Sequence, residues 1–162
     1  MLFFSVILLA CVGCDHASKQ AAVSLLADSA ALDLAGGMLR FQLASNPGAF
    51  LSLGAELPEG LRSFLLLGLV PILIAAVCLF FARSAGTSRV QLAALAVLAG
   101  GGIGNWLDRV LHDGAVTDFV SIGIGGLRTG IFNLADLAVV VGIFWLLPAT
   151  RRPEPPDPSQ AA

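Results

Sequence analysis

The sequence contains few charged residues. Its 162 residues include nine Lys and Arg and eleven Asp and Glu, together 12%, whereas hydrophobic residues make up 57%. A soluble domain usually has about a quarter of its residues charged, so this composition excludes an ordinary soluble fold and indicates an integral membrane protein. The net charge of −2 offers no basic surface, which excludes nucleic acid as a partner.

Histidine and cysteine are also scarce, with two and three residues respectively. Cys11 and Cys14 have the spacing of half a metal or redox site, but no second Cys or His pair accompanies them. All three cysteines fall within apolar runs, where a small buried thiol is the usual interpretation. The sequence therefore predicts no metal site.

Long apolar runs are what the sequence has in abundance. There are four such segments: 1–14, 63–82, 90–107 and 129–149. A helix needs roughly 20 apolar residues to cross a membrane, so the first segment must extend to Lys19, whose long side chain can reach the interface. The prediction is an all-α membrane protein, a bundle of four transmembrane helices in one domain of residues 1–150. The predicted spans are about 1–19, 62–82, 90–108 and 130–148.

The first segment has a second interpretation. Leu8-Leu9-Ala10-Cys11 is similar to the lipobox at which bacterial lipoprotein precursors are lipidated and cut, which would make the protein itself a lipoprotein. No Lys or Arg precedes the run, whereas a secretory signal begins with a positive region. We interpret the segment as a retained helix, with a true start upstream of Met1 as an open alternative.

Basic residues flanking the spans predict the orientation. Arg83 and Arg89 lie in the short connection between the second and third spans, and Arg151 and Arg152 follow the fourth. By the positive-inside rule this connection and the C-terminus are cytoplasmic. With four spans, the N-terminus is then cytoplasmic as well. The tail 151–162 is polar and rich in proline, which predicts disorder.

Two regions outside the spans, within 20–61 and 112–129, predict a small external β-element. Leu39, Phe41 and Leu43 alternate with less apolar residues at the period of a half-buried strand. A second strand is predicted over 116–122, followed by a glycine-rich turn. In the third span, Ala96, Gly100 and Gly104 recur every four residues and predict a smooth face for close helix packing.

Asp136 is the only charged residue of the fourth apolar segment. A carboxylate in hydrocarbon costs on the order of 3 kcal/mol or more, so it usually has a task or a partner. We expect Asp136 about 8 Å into the span, on one helical face with Asn133. Asp118 precedes the same span and can lie beside it. Two adjacent carboxylates share a proton, which is the chemistry of aspartic peptidases.

Other polar residues at this end of the bundle have ordinary structural explanations. Asp15 and Lys19 are four apart on a helix and would form an ion pair. Asp108 and Arg109 would form salt bridges at a helix end, although Arg109 could also hold a substrate group. Asn105 could bond a neighbouring helix.

Five motifs in order closely resemble those of the bacterial lipoprotein signal peptidases, also called signal peptidase II. They are "DHASK", "NPGAFLS", "GGIGNWLDRV", "GAVTDFV" and "FNLADLAVVVG", and they cover the chain from Asp15 to about Leu147. The resemblance implies a four-helix aspartic peptidase of the bacterial inner membrane, with a periplasmic β-element. It would remove signal peptides from prolipoproteins before a diacylglyceryl-modified cysteine. It would act as a monomer among membrane lipids, without a cofactor, and would be inhibited by globomycin.

The resemblance also implies roles for individual residues. Asp118 and Asp136 would be the catalytic pair, and a polar shell would order them and the substrate. The shell would consist of Asn46, Asn105, Arg109, Asn133, Asp15 and Lys19. One departure concerns the second motif, which in the family usually reads N-x-G-A-A-F-S. Here Pro47 follows Asn46 and Phe50 comes one position early, which affects loop contacts with the substrate rather than the chemistry.

A different class of protein also accounts for intramembrane carboxylates. In a small transporter or channel subunit, Asp136 and Asp108 would belong to an ion or proton path. Such residues tend to line a route through the midplane, whereas here the polar clusters gather at one end of the bundle. That asymmetry favours a peptidase.

Overall fold

In the part of the chain that the structure describes, the fold consists mainly of four helices and four strands. The computed structural model describes residues 2–28, 31–84 and 86–149, so the predicted tail 151–162 lies outside the described residues. The helices are α1 (Leu2–Leu26), α2 (Glu59–Arg83), α3 (Arg89–Leu111) and α4 (Leu134–Ala149). Within the described ranges, α1, α2 and α3 are long and apolar enough to cross a membrane, and α4 is a shorter apolar helix.

Helix α3 lies at the centre because its glycines let the other helices approach. A Cβ added at Gly100 would lie 2.6 Å from Cys11 Cβ of α1, and one at Gly102 would lie 2.5 Å from Ile74 Cδ1 of α2. A Cβ at Gly101 would overlap the Ala135 carbonyl oxygen of α4. The predicted smooth face is confirmed. Small residues of α3 also allow α2 and α4 to approach closely.

A π-helical stretch, Phe64–Leu69, interrupts α2 just before Pro71. Proline has no N–H, so Pro71 cannot donate to the carbonyl of Leu67 four residues earlier. The indole Nε1 of Trp106 on α3 donates to that carbonyl instead, at 3.1 Å. A side chain of the neighbouring helix thus satisfies a carbonyl that the proline leaves without its usual α-helical donor.

The strands form one antiparallel sheet in the order β1-β2-β3-β4. They are β1 (Leu32–Leu34), β2 (Leu39–Asn46), β3 (Val116–Ile124) and β4 (Leu127–Arg128). The two predicted strands are confirmed as β2 and β3, while β1 and β4 were not predicted because each has only two or three residues. An irregularity between Phe41 and Ala44 shifts the register of β2, so that Ala44 lies opposite Asp118 of β3.

All four helices differ from the predicted spans. Helix α2 begins at Glu59 rather than near residue 62, α3 ends at Leu111 rather than near residue 108, and the ends of α1 and α4 next to the sheet differ as well. Helix α1 continues to Leu26 rather than ending near Lys19, because Ala22 and Leu26 pack against Phe119 beneath the sheet. Helix α4 begins at Leu134 rather than near residue 130, because Phe132 is paired with Val120 of β3 and is therefore extended. The differences at α1 and α4 result from tertiary pairing with the sheet.

Candidate active site

Asp118 lies on β3 with only 1% of its surface exposed. Its two oxygens accept hydrogen bonds from two different amides. Asn46 Nδ2 donates to Oδ2 at 2.8 Å, and Asn133 Nδ2 donates to Oδ1 at 2.7 Å. The carboxyl group is therefore fixed from both sides by side chains of β2 and of the residue preceding α4.

Asp136 lies in the first turn of α4, so the expected depth of about 8 Å within the helix is wrong. Its N–H donates to Asn133 Oδ1 at 2.9 Å, and the Asn133 N–H donates to Asp136 Oδ2 at 3.2 Å. This reciprocal pair is a capping box, in which Asn133 is the N-cap rather than a member of the helix. The other oxygen, Oδ1, accepts from Asn105 Nδ2 at 2.8 Å.

The pairing of Phe132 with β3 brings the two carboxylates together. The N–H groups of Phe119 and Val120 donate to the Phe132 carbonyl, and the Phe132 N–H donates back to Val120. The next residue, Asn133, consequently lies beside Asp118 and bonds both Asp118 and Asp136. The structure thus places the two sequence-predicted carboxylates around one shared asparagine.

Lys19 supplies positive charge beneath this pair. Its Nζ lies 2.7 Å from Asp15 Oδ2 and 3.0 Å from Asp108 Oδ2, and it donates to Asn105 Oδ1 at 3.0 Å. The remaining oxygen of Asp15, Oδ1, accepts the Ala135 N–H of α4 at 2.9 Å. The predicted Asp15–Lys19 ion pair is confirmed, and one ammonium also ties α1 to α3.

The contacts of Asn105 fix the orientation of its amide. Its Oδ1 accepts from Lys19 and from Asn133 Nδ2, the latter at 3.0 Å. Its Nδ2 must therefore point toward Asp136, to which it donates. Lys19 thus acts on Asp136 through Asn105, without contacting Asp136 directly.

Arg109 is 8% exposed and bonds carbonyl groups instead of carboxylates. Its Nη1 donates to the Asn105 carbonyl at 3.0 Å and its Nη2 to the Gly48 carbonyl at 2.5 Å. Among the described residues it forms no ion pair, so the salt bridge expected for it is wrong. The buried Nε has no hydrogen-bond partner within the described part of the chain.

The loop that Arg109 holds is compact and requires glycine at position 48. A Cβ on Gly48 would lie 2.7 Å from the Leu53 carbonyl oxygen. The Gly48 N–H donates to Asn46 Oδ1 at 2.9 Å, and Asn46 Nδ2 donates to the Ala49 carbonyl at 3.0 Å. Asn46 therefore closes a turn and also bonds Asp118.

Burial raises the pKa of Asp118 to about 6. Loss of hydration is the main cause, because it disfavours the charged form. The hydrogen bond from Asn46 lowers the pKa, while the nearby charge of Asp136 raises it and the hydrogen bond from Asn133 lowers it. Asp118 can consequently keep a proton in mildly acidic solution.

Sequence reasoning missed some of the groups that build the site. Asp108 pairs with Lys19 rather than with its neighbour Arg109, and its Oδ2 also accepts the Thr117 N–H at 3.1 Å. The spacing of Asn105 and Asp108, three apart on one helix, could have indicated a shared face. No pattern in the sequence indicates that the backbone groups of Gly48, Ala135 and Thr117 take part in the site.

Fold and site together define a class: a helical membrane protein with a buried pair of carboxylates at one end of a helix bundle, next to a small sheet. The family profile described as Signal peptidase (SPase) II matches residues 7–151. The chain belongs to the signal peptidase II family.

Individual relatives agree with that profile. A lipoprotein signal peptidase of Sulfurihydrogenibium sp. is 34% identical over 132 residues, covering 80% of this chain and 78% of the relative. One of Chlorobium luteolum is 32% identical over 156 residues, covering 91% and 90%. Two solved structures, each described as a bacterial membrane enzyme, share the fold. Their TM-scores are 0.77 at 23% identity, over 93% of both chains, and 0.76 at 25% identity, over 90%.

Proposed function

We propose that the protein is an aspartic endopeptidase that removes signal peptides from prolipoproteins by cleaving before the diacylglyceryl-modified cysteine. The observation that carries the proposal is the placement of Asp118 and Asp136 around Asn133 in a member of this family. Residues 1–150 would form the peptidase as a single domain, acting as a monomer.

The proposed chemistry uses one proton shared by the two carboxylates. The ionised member takes a proton from a water molecule, whose oxygen attacks the scissile carbonyl. The protonated member gives its proton to the carbonyl oxygen, which forms a neutral tetrahedral intermediate. When the C–N bond breaks, the nitrogen takes a proton from the carboxyl group that received it from water. A hydroxyl of the intermediate returns its proton to the other carboxylate, and the shared-proton state is restored.

The remaining polar residues would order this pair and the substrate. Asn133 and Asn105 hold the carboxylates by donating to them, and Asn46 does so from the loop. The pair of Asp15 and Lys19 fixes Asn105 and the start of α4. Arg109 has an Nε without a partner within the described part of the chain, and this donor would bind a carbonyl of the substrate.

We further propose that all four helices cross the bacterial inner membrane, with both termini in the cytoplasm and the site at the periplasmic face. The lipid on the substrate cysteine would hold the scissile bond at this depth. A path for ions through the midplane is disfavoured because Asp136 lies in the first turn of α4 rather than at its middle. Globomycin would inhibit the enzyme.

A cleavage assay tests the proposal. The purified protein in lipid nanodiscs is given a diacylglyceryl-modified precursor, and as control the same precursor with an unmodified cysteine. We expect mass spectrometry to detect cleavage of the first directly before the cysteine, abolished by globomycin, and little cleavage of the second. Cleavage at another bond, or activity lost with a chelator but insensitive to globomycin, would contradict the proposal.

The pH dependence follows from the pKa of Asp118. Below its value of about 6, Asp118 keeps a proton that it can donate; above that value Asp118 is ionised and this donor is lost. We therefore expect kcat/KM to fall as pH rises above about 6, approaching about tenfold per pH unit. Initial rates at low substrate concentration measure this. A rate that rises through pH 6 would show that the doubly ionised pair is the active form.

Gly101→Ala should lower turnover by about 10²-fold. The added methyl group would overlap the Ala135 carbonyl and push the first turn of α4, with Asp136, away from Asp118. The matched control is Gly13→Ala in α1, where an added Cβ would meet no heavy atom within 4 Å. Equal rates for the two variants in the cleavage assay would mean that this close approach does not set the catalytic geometry.

A further inference from the structure

Beyond the part packed against α1, the sheet has one apolar and one polar face. Cross-strand neighbours on the apolar face form three rows. The rows are Leu32–Phe41–Val120, Leu34–Leu39–Ile122 and Ile124–Leu127. The opposite face carries the row Asp33–Arg40–Ser121, and Arg128 lies beside Gly123. A small sheet with water on both faces would not need this separation of apolar from polar residues.

The apolar face is covered only at its base. Phe41 and Val120 pack against the cluster that includes Ala22 and Leu26 at the end of α1. Farther from α1, exposure rises to 72% for Ile124 and 82% for Leu127 at the β3–β4 turn. An open apolar groove of about 560 Å³ also lies between α1 and this face. Large exposed apolar patches of this kind mark interaction sites.

The exposed apolar surface of α1 continues toward the apolar face of the sheet. Val23 and Leu25 are 45% and 73% exposed. They lie eight and ten residues beyond Asp15, so they are about 12 to 15 Å farther along the helix axis. The apolar belt thus reaches past the level of the carboxylates, on the side where the sheet lies.

The charges of the sheet lie away from this belt. Arg40 Nε is 2.7 Å from Asp33 Oδ1, and Arg128 donates to Ser121 Oγ at 3.1 Å and to the Gly37 carbonyl. A face that carries charged side chains suits water, whereas the apolar face suits acyl chains. Amphipathic elements with this division lie flat in a membrane interface.

We propose that the apolar face of the sheet rests on the adjacent leaflet of the bilayer, with Ile124 and Leu127 inserted among the acyl chains. Because β3 also carries Asp118, about 20 Å along the strand from Ile124, this contact would fix the height of Asp118 relative to the membrane. The inference concerns a lipid surface and does not depend on the proposed peptidase activity.

Fluorescence quenching in nanodiscs tests this placement. The three native cysteines are replaced by Ala, which keeps the Cβ of Cys11 against Gly100. A bimane label is then placed at Leu127→Cys or, as control on the polar face, at Asp33→Cys. The discs contain one protein molecule each and phosphatidylcholine with a nitroxide near the head of the acyl chain. We expect the lipid nitroxide to quench the label at 127 several-fold more than at 33, and aqueous iodide to show the reverse.

Other results would overturn the proposal. Iodide quenching at 127 as strong as at 33 would place the face in water. Shielding of 127 seen only in liposomes with many copies would assign the face to a second copy of the chain, and shielding only after addition of a lipidated precursor would assign it to the substrate. If Leu127→Cys lowers the melting temperature, Ile124→Cys provides the same readout.

Discussion

Asp118→Asn and Asp136→Asn are each expected to lower kcat/KM for a lipidated precursor by about 10³-fold or more. Each removes a carboxyl group that must take or give a proton during every turnover, and an amide can do neither at neutral pH. The effect should appear in the rate of the chemical step, measured under single-turnover conditions. Binding of the precursor, measured separately, should change much less.

The same substitutions also disturb hydrogen bonds, so a control is needed. Both oxygens of Asp118 accept from amide NH₂ groups, those of Asn46 and Asn133. An Asn at position 118 would turn its own NH₂ toward one of these donors and lose one hydrogen bond, at a cost of about 1–3 kcal/mol. Asn46→Ala removes one of the same bonds but keeps the carboxylate. It should retain measurable activity, well above that of Asp118→Asn.

Two results would contradict this assignment. If Asp118→Asn and Asn46→Ala have equal activity at equal melting temperature, the carboxylate itself has no role. If the double variant Asp118→Asn/Asp136→Asn is much slower than either single variant, the two carboxylates act independently. Groups that act as a unit give effects that are far from additive, so we expect the double variant to match the singles.

The candidate site was predictable in part because polar residues are conspicuous in apolar sequence. Asp136 is the only charge in its segment, and Asp15 and Lys19 have the spacing of a helical ion pair. These signals are local, since they depend on hydrophobic context or on one helical turn. The same locality explains why the strands β2 and β3 could be predicted from alternation, whereas the three-residue β1 could not.

What could not be predicted depends on register between distant segments. The start of α4 is set by the pairing of Phe132 with Val120, and this pairing makes Asn133 an N-cap rather than a helical residue. The bond from Arg109 to the Gly48 carbonyl joins positions 61 residues apart. Sequence periodicity contains no information about such contacts, because a backbone carbonyl is the same at every residue.

Lys19→Met is expected to destabilise the protein by about 3–5 kcal/mol. The ammonium is buried and lies within 3.0 Å of carboxylate oxygens of both Asp15 and Asp108. Without it, two carboxylates remain buried with no Lys or Arg of the described residues within ion-pair distance. Breaking a buried pair from one side leaves such charge uncompensated. Methionine fills similar space, so the effect reports charge rather than a cavity. Thermal unfolding in detergent measures it.

A surface ion pair supplies the matched control. Arg40 and Asp33 are 36% and 42% exposed at the side chain, and we expect Arg40→Met to leave the melting temperature nearly unchanged. Equal melting temperatures for Lys19→Met and Arg40→Met would contradict the proposed role of the buried charge.

A second substitution separates the two tasks of Lys19. In Lys19→Met/Asp108→Asn one buried charge is neutralised, so part of the lost stability should return, and the non-additivity of the pair measures their coupling. Activity should not return with it, because Asn105 still lacks the donor that turns its amide toward Asp136. Recovery of stability without turnover would therefore distinguish a lysine that orders the catalytic pair from one that only balances charge.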